Sequence, residues 1–201
     1  MSAPSKSYWP RLIIAGLLSL VNAGLGQCYR LPANSMAPGL LAGDYVMAVP
    51  VDGKAVARGT RVVYTDRGVT YLKRVVALPG DTIYMSAGEL QINGHLVPEP
   101  YANHDLEMDA INRSDFDWQR AYLTNAIPPA GYHASARTWG PLIVPPDSVF
   151  ILGDNRGASM DSRYRGFVAQ TAIIKRPTAI YFSKDPESGA IRWSRIGTRL
   201  G

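Results

Sequence analysis

A serine held between two prolines is the first residue whose type and setting suggest chemistry. Ser35 lies in Leu31-Pro32-Ala33-Asn34-Ser35-Met36-Ala37-Pro38-Gly39-Leu40. Proline fixes its own φ and restricts the residue before it, so this stretch is stiff. Stiffness suits a nucleophile, whose oxygen must sit at one place relative to a bound carbonyl. Taken alone, a serine near proline is equally at home in a turn. Lys73 is the second such residue, in Tyr71-Leu72-Lys73-Arg74-Val75-Val76-Ala77-Leu78-Pro79-Gly80-Asp81. Strand alternation puts Tyr71, Lys73 and Val75 on one face. A lysine among apolar neighbours loses hydration of its charged form, its pKa falls, and the neutral amine can take a proton from a hydroxyl. On an edge strand the same side chain would simply reach water. The third segment is Gly153-Asp154-Asn155-Arg156-Gly157-Ala158-Ser159-Met160-Asp161-Ser162-Arg163. Pairing of Asp161 with Arg163, and of Asp154 with Arg156, would brace this loop. A braced loop could hold the Ser159 hydroxyl against the base.

Other chemistries find little support. His95, His104 and His133 lack metal-ligand spacing, and read as ordinary surface or loop histidines. A zinc site is not expected, and nothing approaches a phosphate-binding glycine loop. The single cysteine, Cys28, excludes an internal disulfide and a cysteine-rich metal site. No cofactor is called for.

The elements that must position these residues read as β. Hydrophobic residues make up 46% of the 201-residue chain and charged residues 18%, which excludes a disordered chain. Nineteen glycines and 15 prolines without a period suit a turn-rich β protein better than a helical bundle. Strands are predicted at Tyr45–Val49, Thr60–Thr65, Val69–Ala77, Thr82–Met85, Leu90–Ile92, Ser148–Leu152, Thr171–Ile174 and Ala179–Phe182. Turns are predicted at Asp52-Gly53, Asp66-Arg67-Gly68, Pro79-Gly80-Asp81 and Asn93-Gly94. Residues 98–147 carry seven prolines and read as an insertion with one hairpin.

Ahead of Ser35 lies an apolar run. Arg11 and Arg30 bracket 18 uncharged residues, Leu12 to Tyr29. As helix this is about 27 Å, just short of a ~30 Å hydrocarbon core. Trp9 and Tyr29 stand at its ends, and Lys6 and Arg11 precede it. The reading is a membrane anchor with the N-terminus in the cytoplasm and residues 30–201 outside. A cleaved signal peptide ending near Val21-Asn22-Ala23, a lipoprotein signal ending at Cys28, or a short interfacial helix stay open. The net charge of +5 is spread along the chain. It fits an anionic membrane surface at least as well as nucleic acid. Membrane lipid is the expected partner, and nucleic acid is not.

Together the three segments resemble the type I signal peptidases of bacteria, the serine–lysine leader peptidases. The likeness requires an S-M-x-P box, a K-R-V-V-x-L-P-G-D box and a G-D-N-R-x-x-S-x-D-S-R box in that order, and covers roughly residues 29–97 and 148–182. The resemblance implies a mainly β, signal-peptidase-like catalytic domain with an N-terminal transmembrane helix, residues 1–29 forming the anchor. It implies removal of signal peptides from exported preproteins at a bacterial inner membrane, with the catalytic domain on the outer side. Residues 98–147 would be the family's variable second β region. By the same resemblance Ser35 matches the nucleophile and Lys73 the general base. Ser159 matches the hydroxyl that orients the lysine, and Asp161 and Arg163 match the brace. Asp154, Asn155 and Arg156 match the preceding structural box. Tyr29, Leu31, Met36, Leu40, Tyr71 and Leu72 match positions lining pockets for small substrate side chains.

Two departures stand out. Ala33 replaces the serine or glycine common two residues before the nucleophile, so a hydroxyl that helps hold an oxyanion is missing. Asn34 is expected to lend its amide instead. In Arg58-Gly59-Thr60 a threonine stands where an acid commonly follows the glycine. A maturation peptidase for pilin or conjugation precursors, and an inactive peptide-binding homologue, are the competing expectations.

Overall fold

The computed structural model describes residues 26–104, 113–125 and 128–200. Eleven strands form two antiparallel sheets. The large sheet contains β1 (Gln27–Arg30), β2 (Asp44–Pro50), β3 (Arg61–Asp66), β4 (Val69–Ala77), β9 (Ser148–Leu152), β10 (Val168–Ala169) and β11 (Ile173–Ser183), in the order β1-β2-β11-β3-β4-β9-β10. The small sheet contains β5 (Thr82–Ser86), β6 (Glu89–Ile92), β7 (His95–Leu96) and β8 (Trp139–Ile143), in the order β7-β6-β5-β8. A single short α-helix among the described residues, α1 (Ser162–Arg165), follows the third motif.

The turn chemistry works as its residues demand. Arg67-Gly68 joins β3 to β4, and Asn93-Gly94 joins β6 to β7. All four residues have positive φ, which a two-residue hairpin loop requires at both central positions.

β4 and β9 carry apolar residues on both faces. Val75, Val149 and Ile151 enter one core cluster with Val62, Tyr64 and Ile173. Val76, Phe150 and Leu152 enter another, beneath the small sheet with Ile83, Leu90 and Trp139. A third cluster packs Leu31, Met36 and Leu40 against Val46 and Ile180. The middle of β4 is therefore dry on either side, which decides the environment of any charge placed there.

Six of the predicted strands match observed strands to within one residue at each end. Three features differ. Thr171–Ile174 and Ala179–Phe182 belong mostly to one eleven-residue strand, β11, which the sequence reading splits between Ile174 and Ala179. Pro177 stands opposite Ala48, and a register shift follows between Pro177 and Ala179, so the missing N–H falls at an irregularity. Thr171 itself lies in a 3₁₀ turn, Gln170–Ala172.

Second, the end of the apolar N-terminal run is strand, not helix. Gln27, Cys28 and Tyr29 pair with Ala48, Met47 and Val46 of β2. The rest of the run, 12–25, lies outside the described residues. No helix among those described is long and apolar enough to cross a membrane.

Third, the small sheet draws three of its four strands from residues 82–96, ahead of the segment 98–147. That segment contributes β8 and a ten-residue 3₁₀ helix, Arg113–Tyr122.

Phe150 ties the layers together. It is fully buried and stacks on Trp139 at 5.0 Å between ring centroids. Phe150→Ala is expected to cost about 3–5 kcal/mol, the range for deleting a buried aromatic ring. Urea denaturation would show it as a lower midpoint with an unchanged slope.

Candidate active site

The loop between β1 and β2 carries Ser35, and β4 carries Lys73. Lys73 Nζ lies 2.6 Å from Ser35 Oγ. The lysine is only 4% exposed. Loss of hydration pulls its pKa down from the ordinary value to about 8. Nearby charges act in both directions: Asp161 and Asp154 push the value up, Arg163 and Arg165 push it down. Close to neutrality, an appreciable fraction of Lys73 is therefore uncharged beside a hydroxyl within bonding reach.

The third motif fixes the position of the serine. Asn155 N–H donates to the Ser35 carbonyl at 3.1 Å, and Asn155 Nδ2 donates to the Asn34 carbonyl at 3.2 Å. Asn34 Oδ1 accepts from Ala42 N–H at 2.8 Å. The Asn34 side-chain oxygen thus ties the serine loop to the entry of β2.

Beneath the loop, Asp161 and Arg163 form a buried ion pair at 2.9 Å. Burial alone would raise Asp161, but Arg163 and the Gly153 N–H outweigh it, and the carboxyl is held below its usual range. Arg163 also donates to the carbonyls of Arg156 and Ser159. Its own carbonyl accepts from Trp118 Nε1 at 3.0 Å and Gln119 Nε2 at 2.9 Å. These two residues come from the 98–147 segment, where no motif marks them.

The second expected ion pair does not form. Asp154 takes two bonds from Arg74, at 2.7 and 2.5 Å, while Arg156 pairs with Glu99. Strand geometry explains the exchange. Arg74 stands opposite Leu152 in the β4–β9 ladder, and Asp154 lies two residues further along the same face. Arg74, next to the base in sequence, thereby locks the motif to the base's own strand. The Tyr101 ring lies 3.8 Å from the Arg74 guanidinium carbon.

Ser159 is buried within the loop, but its hydroxyl makes no hydrogen bond, so the expected bond to Lys73 is absent. The hydroxyl sits against Gly153 instead. A Cβ at Gly153 would fall 2.2 Å from Ser159 Oγ and 2.5 Å from the Ser35 carbonyl oxygen.

A groove of about 480 Å³ opens over the dyad. Tyr29, Leu31, Met36, Tyr71 and Leu72, the positions the resemblance assigns to pockets, line it. Leu40 does not; it is fully buried in the core behind this wall, packed with Met36 and Leu31. Val63, Val69 and Met160 also line it and escaped the sequence reading. Val69 and Met160 are exposed large apolar residues, 51% and 42% accessible. Only their position beside a catalytic motif could have marked them.

Among the described residues, no cluster of His, Cys, Asp and Glu side chains is placed to hold a metal ion. What the arrangement can do is transfer a proton from an alcohol to an amine at the floor of an apolar groove, which is the first step of acyl transfer.

Comparison with known proteins agrees with this chemistry. The family model described as signal peptidase, peptidase S26, matches residues 6–182. The chain belongs to this family. Signal peptidase I of Pseudomonas aeruginosa is 28% identical over 230 residues, spanning 96% of this chain and 77% of that protein. Signal peptidase I of Bacillus licheniformis is 34% identical over 158 residues, spanning 76% of this chain and 74% of that protein. A crystal structure of a signal peptidase I from Enterococcus faecalis aligns with a TM-score of 0.37 at 26% identity, over 59% of this chain and 92% of that one.

Gly153→Ala tests how closely this peptidase fold holds its serine. The added methyl must displace Ser159 or the Ser35 carbonyl. A misplacement of about 1 Å can cost 10²-fold, so kcat/KM is expected to fall at least that far. Steady-state peptide cleavage by the folded variant measures it.

Proposed function

We propose that this protein is a membrane-bound serine endopeptidase that removes signal peptides from exported preproteins. The observation that carries the reading is the 2.6 Å contact between the buried Lys73 amine and the Ser35 hydroxyl. Neutral Lys73 accepts the Ser35 proton as Oγ attacks the scissile carbonyl. The amide nitrogen of the leaving chain takes a proton from the lysine as the C–N bond breaks. Lys73 then activates a water that hydrolyses the acyl-enzyme. No step requires a metal or organic cofactor.

The groove supports the substrate assignment. Its lining is largely apolar, which suits a peptide with small side chains near the cleaved bond. Asp161, Arg163 and Asn155 position the serine loop, and Ser159 packs beneath it. The apolar run 12–25 would anchor the chain in the bacterial inner membrane as a single pass. Strand β1, which directly follows, would hold the groove close to the outer membrane surface, where a signal peptide emerges.

Ala33 lines the groove next to the dyad and offers no donor to an oxyanion. Ala33→Ser is expected to raise kcat, by no more than the 10²–10³-fold that one such donor contributes in other serine hydrolases. An unchanged or lower kcat would mean that the side chain at 33 does not face the oxyanion.

The central test is cleavage of a purified preprotein in detergent. Wild type is expected to cut after the small residue that ends the signal peptide, while Ser35→Ala and Lys73→Met are inactive. Because the base must be neutral, log kcat/KM should rise with unit slope below about pH 8 and level off above it. A profile flat from pH 5 to 10 would exclude a lysine base. Cleavage of pilin precursors but not ordinary preproteins would point to a specialised maturation peptidase.

A further inference from the structure

Glu99 stands between two prolines, Pro98 and Pro100, which stiffen its backbone as others stiffen that of Ser35. Its side chain is 6% exposed. Arg156 Nη1 donates to its carboxylate at 2.7 Å and Arg156 Nη2 at 2.5 Å, a bidentate pair. The Tyr101 hydroxyl donates to the same carboxylate at 3.0 Å.

Both partners are tied to the loop that seats the nucleophile. Arg156 Nε donates to the Gly153 carbonyl at 3.0 Å. Gly153 is the residue packed against the Ser35 carbonyl oxygen. The Tyr101 ring lies over the guanidinium of Arg74, which holds Asp154. Two residues on, Asn103 N–H donates to the Asp154 carbonyl, and the Asn103 carbonyl accepts from Arg156 N–H, both at 2.7 Å. These two bonds bracket Asn155, which itself holds the Ser35 and Asn34 carbonyls. Residues 99–103 therefore grip 153–156 by backbone and side chain together, and the side-chain contacts meet at Glu99.

We propose that Glu99 is a positioning residue for the Ser35 nucleophile, acting through Arg156 and Tyr101. It does not line the groove. Its carboxylate fixes the Arg156 guanidinium, and that guanidinium fixes the Gly153 carbonyl beside the serine loop. Without a carboxylate at 99, Arg156 becomes a buried charge whose counter-ion is gone. It turns toward water, and the Gly153 carbonyl loses its donor. Ser35 then shifts relative to Lys73, where a displacement of about 1 Å can cost about 10²-fold. The loss falls on the chemical step and spares peptide binding, because most of the groove lining belongs to β1, the loop after it and β4. The rate effect rests on the peptidase reading; the placement of Ser35 does not.

The test compares Glu99→Ala and Glu99→Gln with wild type, as full chains in detergent. Glu99→Gln keeps the shape of the side chain and removes its charge, and serves where Glu99→Ala does not fold. Glu187→Gln, at an exposed carboxylate elsewhere, is the control. In preprotein cleavage the Glu99 variants should show kcat at least tenfold lower with KM within twofold, and the control should match wild type. The rise of log kcat/KM with pH should stay centred near 8, on a lower plateau. A lost negative charge acting on Lys73 only through its field would instead lower the lysine pKa and move the rise to lower pH. The Lys73 Nζ signal, read by nuclear magnetic resonance, should move in the Glu99 variants toward its position in Ser35→Ala. This second readout needs no cleavage, so a wild type that cuts no preprotein would end the peptidase reading while the signal still decides where Glu99 holds Ser35. Wild-type kcat in the variants of an active enzyme, a loss no larger than the fraction unfolded, a rise moved to lower pH, or a Lys73 signal identical to wild type would overturn the role of Glu99.

Discussion

An ammonium group deprived of nearly all its water is the constraint around which the rest of this protein is arranged. Lys73 sits in the middle of β4, where the sheet is covered on both faces and its neighbours Val75 and Val76 are buried. Placing a lysine there opposes folding as pH falls below its ordinary value of 10.5, and most fully below about 8, because the charged form must be desolvated. The same feature makes the side chain useful, since an ordinary lysine is protonated at neutral pH. Dryness alone would leave the amine with nothing to act on. The loop that holds Ser35 supplies the hydroxyl, and its position depends on backbone bonds from Asn155 and on the close packing allowed by Gly153.

A second layer of charge supports that geometry. Asp161–Arg163, Asp154–Arg74 and Glu99–Arg156 are all buried pairs. Such pairs add little net stability over apolar residues of the same shape, but breaking one leaves an unpaired buried charge. Their value here lies in position. Arg74 connects the strand of the base to the third motif. Arg163 connects that motif to the 3₁₀ helix Arg113–Tyr122 through its carbonyl. The serine loop is thus held from three directions by groups whose misplacement would be costly.

The sequence revealed the strands well wherever β-branched runs met glycine-containing turns, and β4 and β9 were read to the residue. Ser35 and Lys73 stood out only through the order of the three motifs and the resemblance they carry, because alone a serine near proline suits a turn and a strand lysine suits a wet edge. Long-range pairing was harder to read. Arg156 appeared to belong with Asp154, two residues away, yet the register of β4 against β9 brings Arg74 to that carboxylate. Leu40 looked like part of a pocket wall, but nothing local separates a pocket residue from a core residue one layer deeper. Trp139–Ile143 escaped notice because a Gly-Pro pair interrupts it and its partner, β5, lies more than fifty residues earlier. The two short strands predicted near the C-terminus proved to be one, in which Pro177 stands at a register shift.

The claim that a dehydrated lysine with a lowered pKa serves as the base can be measured on the amine itself. The chain has only five lysines, so the Nζ and Cε signals of Lys73 can be assigned by comparison with Lys73→Met. Their chemical shifts, followed against pH by nuclear magnetic resonance in the folded protein, should titrate near 8. A midpoint at the ordinary lysine value of 10.5 would contradict the account, however well the protein cleaved peptides.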